Sequence, residues 1–501
     1  ERSADGEVRR APREAGRPAS LPTTVRATIT NRIDNMAPSA RLTLKVESVS
    51  GHRGPLAAVE QVHPLHIDSR TLAEHVQSQQ RMGLVDMITV DAGPGFEFRH
   101  DITREVVYDL VLPEMRRMLH ADLARWYEST RGDDLAGCYP VLASHWAAAG
   151  HPERAARYLE REAVRVFSNG HAQQALTTGL AALALLGVQL PNDPAEVGAA
   201  IGAGMGEIQS LIGNRTPADH ADLPAMTDAD AARAVATLLT VAPLAFQSNR
   251  IDLYALASIT AMQRTLRHGN GADAAQVYSL YSVVHGALTG DRAGAAAWSD
   301  LALMLDLRDG GSRYGEVGFV HTWFHSHWQR PLRDSLRISL DAAERALATG
   351  NLLYACFNLA GHVIYQQAAG VHLETVIDTA RRHLDRNGGR VKNSAFHLIH
   401  EMQVAKALAG QTADLCSFGD DEHDEARELA SILDTTLSNQ IGYFLVSKLK
   451  VHALAGRWTD ALAWAERAEA ARQAYGGQTA EFELVQYAAL AGAGQALASG
   501  A

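Results

Sequence analysis

The chain has 501 residues and a mass of 54.0 kDa, which at roughly 150 residues per domain leaves room for several domains or one long repeat array. Hydrophobic residues make up 47% and charged residues 21%, the profile of a soluble globular protein, and 46 basic against 57 acidic side chains leave a formal charge of -11 that excludes a general nucleic-acid surface. Cys138, Cys356 and Cys416 are too few and too scattered for a disulfide framework, and no apolar run reaches the roughly 18 residues of a membrane helix, so a cytoplasmic protein without membrane contact is expected.

In chain order, residues 1–20 are polar, with five arginines and four acids, and read as a flexible linker rather than a signal peptide. Glu1 in place of a methionine, with a last helix running almost to Ala501, suggests a piece of a longer polypeptide. Val25, Ile29 and Ile33 mark one helical stripe, and Leu42, Val46 and Val49 another, with Pro38 placed to open the second helix. A third helix runs over about Ser69–Met82 and ends at Gly83. The period then changes: Leu84–Val90 reads as a strand, Asp91–Gly95 as a turn and Phe96–Arg99 as a second strand. Three helices and one hairpin outline a winged helix, and no other β structure is expected. Beyond His100 the pattern is helical again, with Ile102, Val106 and Leu110 on one face and Leu119, Leu123 and Trp126 on the next.

From about residue 138 a short signature recurs. A glycine is followed five residues later by alanine at Gly150/Ala155, Gly170/Ala175, Gly269/Ala274, Gly290/Ala295, Gly350/Ala355 and Gly456/Ala461. The glycine suits the left-handed residue that ends a helix, and the alanine lets the next helix approach its neighbour closely. The glycines fall near multiples of about 20 residues, one helix plus its turn, which is the spacing of stacked helix pairs. The expected fold is therefore mostly α: a small winged-helix module and its following helices over 21–135, then an α-α superhelix, a TPR-like solenoid, over 138–498. The stretches around Pro191–Pro194 and Thr216–Pro224 read as loops that interrupt the stack.

Motifs that carry chemistry are sparse. No Gly-Lys dipeptide occurs, so a phosphate-gripping P-loop is absent. Gly202, Gly204 and Gly206 imitate a dinucleotide fingerprint, but no strand precedes them and they read as loose helix packing. His321 and His325 stand at i, i+4 with His327 nearby, a spacing that can place two imidazoles on one metal. No carboxylate in that helix completes a hydrolytic site, so they are weak metal candidates and buried aromatic packing is the plainer reading. His397, His400 and Glu401 form a similar incomplete cluster, and the acidic run Asp420–Glu425 reads as a solvated helix start. No catalytic constellation can be assembled, and no enzyme activity or cofactor is expected of this chain itself. At Phe98-Arg99-His100-Asp101-Ile102-Thr103-Arg104-Glu105 the residue-level reading is that Asp101 caps a helix and Arg104 pairs with an acid.

A family resemblance adds to this. Leu21-Pro22-Thr23-Thr24-Val25-Arg26, Asn31-Arg32-Ile33-Asp34 and Val62-His63-Pro64 resemble the region after the NTPase core of large bacterial signalling ATPases, as do the Phe96–Tyr108 stretch, Arg116-Arg117-Met118-Leu119-His120 and Tyr139–Trp146. Asp222–Asp228 and the stretch from His327–Arg333 to Gly350-Asn351 resemble the repeat region of such ATPases fused to kinases or cyclases, so the likeness covers about residues 21–370. The family is that of the signal transduction ATPases with numerous domains, most similar here to those attached to class III adenylate/guanylate cyclase domains. The resemblance implies an upstream NTPase domain holding ADP or ATP with magnesium, a winged helix that closes over it, and repeats that bind a protein or effector. It also implies that His100 and Asp101, with Arg104, sense the nucleotide, the histidine touching a phosphate; Arg99 departs from the family's methionine at the preceding position. The resulting expectation is a non-catalytic regulatory segment of a multidomain signalling ATPase. The alternatives are the regulatory region of an ATP-dependent helix-turn-helix transcription activator, or a stand-alone TPR-like scaffold.

Overall fold

The computed structural model describes residues 23–90, 93–132, 134–387, 391–433 and 438–500. The expected linker 1–20, Asp91 and Ala92 of the expected turn, and the side chain of Val25 lie outside the described residues. Contacts divide the chain into two compact units, one ending at Tyr158 and one starting at Leu159.

The first unit begins α1 (Thr23–Asp34), α2 (Pro38–Ser50), β1 (Arg53–Pro55), α3 (Leu56–Val62), α4 (Ser69–Arg81), β2 (Val85–Val90) and β3 (Gly93–Phe98). Proline at the first position opens α2, and the Asp68 carboxylate accepts the Thr71 amide at 2.8 Å to start α4. Strand β3 lies in the middle of an antiparallel sheet of order β1-β3-β2, with Val85 opposite Phe98 and Arg53 opposite Glu97. Helix, strand, two helices and a hairpin form a winged helix. Its core gathers Ile33, Leu44, Val46 and Val49 from the first helices, Val59, Leu72 and Val76 from the next two, and Phe96 and Phe98 from β3.

Two parts of the expected outline are corrected here. A fourth helix, α3, and a third strand, β1, are present; at seven and three residues they are too short to display a period. Strand β3 also starts at Gly93 instead of Phe96, because Gly95 belongs to the ladder. A Cβ there would lie 2.5 Å from Val90 Cγ2 and 2.9 Å from the Gly54 carbonyl, so a glycine that looks like turn punctuation is required by its neighbours on both sides.

The unit continues through α5 (Asp101–Asp109), α6 (Pro113–Arg131), α7 (Tyr139–Ala148) and the start of α8 (Pro152–Ser168). Leu119 and Leu123 are buried as expected. On α5 only Val106 of the expected stripe is buried, with Thr103 and Val107 beside it, whereas Ile102 is 40% and Leu110 37% exposed. The helix is rotated so that its buried face is centred one residue away from the Ile102–Leu110 line.

In the second unit, helices joined by short loops pack as pairs: Ala229–Gln247 with Ile251–His268, Ala274–Thr289 with Arg292–Arg308, Leu332–Ala348 with Leu352–Ala368, Leu373–Asn387 with Lys392–Leu408, and Ser438–Leu454 with Trp458–Ala470. Helices next but one in sequence also touch, as Leu352–Ala368 does Lys392–Leu408 and Ser438–Leu454 does Thr479–Ser499. This is an α-α superhelix of TPR-like pairs. Among the described residues one helix, Ala229–Gln247, is long and apolar enough to cross a membrane, and 56% of its apolar window is buried within the fold.

The glycine–alanine signature holds at all six places. Each glycine has φ between +72° and +98°, and each alanine is at most 5% exposed. Nothing lies within 4 Å of a Cβ placed on Gly350, so its requirement is conformational, while that of Ala355 is steric. Gly350→Ala is expected to lower the unfolding free energy by about 1–2 kcal/mol, with Gly350→Asn retaining most of it because Asn tolerates the left-handed region. Ala355→Leu should cost about 1–3 kcal/mol through overpacking. Urea unfolding followed by circular dichroism checks all three.

Candidate functional site

The segment that the sequence singles out joins β3 to α5. Arg99 makes a two-pronged ion pair to Asp86 on β2, Nε at 2.9 Å and Nη2 at 2.8 Å, which ties the end of the wing strand to its neighbour and holds the Asp86 carboxylate below its usual range. The next residue, His100, is extended at φ -141° and exposed. Its carbonyl accepts the amides of Thr103 and Arg104 at 3.0 and 3.4 Å, so its backbone starts α5 while no hydrogen bond engages its ring among the described residues.

Asp101 and Arg104 do not take their expected local roles. Asp101, with its side chain 80% exposed, does not cap α5; its carboxylate lies 2.8 Å from Nδ1 of His52, whose Nε2 is 3.9 Å from Glu97. Arg104 pairs with no acid among the described residues. It donates to the Ser48 carbonyl at 3.2 Å, closing one of the open carbonyls near the end of α2, and its guanidinium stands 5.7 Å from the Tyr108 ring. The three candidates are therefore split: His100 is solvent-facing, Asp101 is bound to His52, and Arg104 lines a cleft.

That cleft, of about 620 Å³, is formed by the end of α2, the start of β1, and α5, α6 and α7. A chain of hydrogen bonds forms its floor: Tyr108 Oη to His120 Nε2 at 2.9 Å, then His120 Nδ1 to His145 Nδ1 at 2.8 Å. The Arg116 guanidinium stacks over the Tyr108 ring, 4.2 Å from its centre. Burial pushes His120 down to about 4, with the charges of Arg116 and Arg104 adding to the shift, and pushes His145 down to about 3 with His120 adding to it. Both imidazoles are neutral at physiological pH. His145 Nε2 and Ser50 Oγ, both buried, have no partner among the described residues. His120 and His145 escape sequence reasoning because they stand 25 positions apart and no periodic signal joins them.

The remaining candidates lie in the second unit. His321–Ser326 is a π-helical turn, which displaces His321 and His325 from ordinary i, i+4 alignment. His321 Nδ1 lies 3.0 Å from Ser299 Oγ and 3.9 Å from Asp300, and His325 Nε2 lies 2.8 Å from Ser282 Oγ. Each histidine is engaged by a different serine, and among the described residues no three His, Cys, Asp or Glu side chains gather as metal ligands. The expected loose packing is corrected at Gly204, inside the helix Pro194–Ile212, where a Cβ would come 2.5 Å from Ile259 Cγ2, whereas nothing lies within 4 Å of one placed on Gly202 or Gly206.

The acidic run is more than a solvated helix start. Asp424 does cap the helix Glu425–Leu433 through the amides of Ala426 and Arg427, but Asp420 pairs with Lys406 at 2.7 Å and Glu425 with Lys448 at 2.5 Å. Glu428 sits between His400 Nδ1 at 3.3 Å and His423 Nε2 at 3.1 Å; burial opposes its charge, yet these imidazoles hold it down to about 2. Glu401 is pushed up to about 7 by burial, against the pull of His400 and Lys450.

No family model matches the chain, and no curated protein matches it. Among solved structures it is similar to a signal transduction ATPase with numerous domains bearing a tetratricopeptide repeat sensor, from Pyrococcus horikoshii, at 11% identity and a TM-score of 0.26. The match covers 82% of this chain and 64% of that one, so the chain spans less than two thirds of that protein's length. A superposition this loose transfers no residue roles.

The histidine pair gives a pH prediction. Below about 6.5 the unfolded chain protonates both imidazoles, whereas the folded unit keeps them neutral to about 4 and about 3. The unfolded state then binds more protons, so stability falls as the pH drops from about 6.5 towards 4. In His145→Gln the dependence should weaken by up to one proton over that window, read from urea midpoints at stepped pH; an unchanged slope would show that His145 is charged in the fold.

Proposed function

We propose that this chain is the non-catalytic regulatory segment of a multidomain signalling ATPase, with the winged helix reading the nucleotide state of an NTPase domain and the repeats binding a protein or effector. The observation that carries the reading is His100: an exposed imidazole with no hydrogen bond among the described residues, presented at the end of a wing strand that the Arg99–Asp86 ion pair clamps. A ring held in that way is available to donate to a phosphate oxygen supplied by another domain. The ordered string of motifs shared with ATPases of the signal transduction type supports the same reading, as does a winged helix followed by helical repeats.

In this reading ADP or ATP and its magnesium belong to the NTPase domain, and this chain contributes the contact that favours the closed, ADP-bound state. The repeats offer an extended surface of the kind that binds protein partners. The setting is the cytoplasm, the output domain is a class III adenylate/guanylate cyclase or a kinase, and neither nucleic acid nor membrane is contacted directly.

Coding DNA that places a P-loop domain in frame upstream would supply the polypeptide for the decisive comparison. In that polypeptide His100→Ala is expected to weaken ADP binding about tenfold, the worth of one charge-assisted hydrogen bond. Equal ADP affinity in the two proteins, measured by calorimetry, would sink the nucleotide-sensing role.

A further inference from the structure

The cleft beneath α5 has properties that the nucleotide-reading proposal leaves unused. Two arginines, Arg53 and Arg104, line it, and neither has a carboxylate partner among the described residues. Of the neighbouring acids, Asp101 lies 2.8 Å and Glu97 3.9 Å from the ring of His52, which also lines the cleft. Two of the last four carbonyls of α2, which would repel an anion, are engaged: the Gly51 amide takes that of Glu47 and Arg104 takes that of Ser48. The first turn of α7, which carries no acidic residue, forms the opposite wall through Pro140 and Val141, and a helix start favours negative charge.

The floor supplies direction. When Tyr108 donates to His120 Nε2, the His120 Nδ1 proton goes to His145 Nδ1, and the proton of His145 must then sit on Nε2. That nitrogen has no partner, and His145, at 4% exposure, lines the cleft together with Ser50, whose Oγ is also buried and unpartnered. Two buried groups with unmet hydrogen-bonding capacity, under guanidinium groups without carboxylates, are what a polar head group needs. Val49, Pro140, Val141 and Ala148 supply apolar wall around them, and about 620 Å³ is a volume typical of small-molecule sites.

We propose that this cleft binds a small organic oxyanion, its phosphate or carboxylate head held by Arg53 and Arg104 over the Ser50 and His145 side chains and its apolar body set against Val49, Pro140 and Val141. The site lies wholly within the first unit, so it asks nothing of an ATPase domain and stands or falls apart from the role given to His100.

The test uses the chain as it is, with phenyl phosphate, benzoate and inorganic phosphate as probes in calorimetric titration and thermal melting. Phenyl phosphate or benzoate is expected to bind saturably, to raise the melting temperature, and to bind at least tenfold more tightly than inorganic phosphate. The stronger of the two aromatic probes identifies the head group. Arg53→Gln, an exposed position, and Arg104→Gln should each weaken that probe at least fivefold, and added salt should weaken it further. His100→Ala should leave its affinity unchanged. Circular dichroism melts of the free variants verify folding, and Arg53→Gln alone decides if Arg104→Gln unfolds. Absence of saturable binding by both aromatic probes, equal affinity for inorganic phosphate, or unaltered affinity in Arg53→Gln overturns the proposal.

Discussion

Close helix approach is the constraint on which this molecule rests. A helix pair in a repeat array has too little apolar surface to form a core alone, and must press against the next pair. The glycine in the left-handed conformation turns the chain within one residue, and the alanine five residues later keeps the returning helix from being held away by its own side chain. The same demand reappears away from the turns. A Cβ on Gly315 would lie 2.6 Å from that of Ala346, one on Gly318 would lie 2.7 Å from that of Ala342, and one on Gly361 would lie 2.6 Å from Trp323 Nε1. Helix propensity disfavours these glycines by roughly 1 kcal/mol each, so packing, and not local preference, decides their positions.

Tight packing also explains how so many histidines are accommodated inside. His321, His325 and His397 are pushed down to about 4, about 3 and about 3, chiefly by burial, and each packs among serines or aromatic rings. His397 stands 4.9 Å from the Tyr443 ring and 5.4 Å from that of Trp323, where a neutral imidazole behaves as one more flat, polarisable group. His400 is the exception that charge accounts for: it is equally buried, but Glu428 beside it raises its affinity for a proton above the ordinary value despite the burial that opposes it. Identical side chains three residues apart on one helix, both packed against aromatic rings, therefore shift in opposite directions because only His400 has a carboxylate beside it.

Much of this architecture is written in local pattern. Left-handed glycines, buried alanines and the Pro38 and Asp424 helix starts all follow from residue type and spacing, because each depends on atoms within a few positions along the chain. The parts that pattern does not carry depend on distant atoms. Gly95 reads as a turn until Val90 and Gly54 stand on either side of it, and β1 has meaning only as the partner of β3. Asp101 reads as a cap until His52, on the far side of α3 and α4 in sequence, comes within 2.8 Å. His321 and His325 read as a pair until a π turn and two serines from other helices separate their roles. The wing–α5 junction was legible as a place; the division of labour among its side chains was not.

That division gives the first unit two chemically different faces. Along the wing, Arg99 is neutralised by Asp86 and leaves His100 outward with its ring unspent. Behind the wing, Arg104 and Arg116 are turned inward over Tyr108 and a neutral histidine pair, with backbone carbonyls in place of carboxylates as their acceptors. In a chain with a surplus of eleven acids, guanidinium groups near the surface meet carboxylates readily, and most arginines of the second unit do so, as Arg250 does with Asp252 and Arg472 with Glu481. A guanidinium that ends on a carbonyl keeps most of its charge uncompensated, and desolvating it raises the energy of the folded state. Such an arrangement is stabilised when negative charge arrives from outside the unit, whereas a structural ion pair is complete already. The histidine pair adds no positive charge to this region at neutral pH, so the arginines set its sign. The winged helix thereby separates a hydrogen-bonding contact at His100 from a fixed cationic cleft at Arg104, only four residues further along the chain.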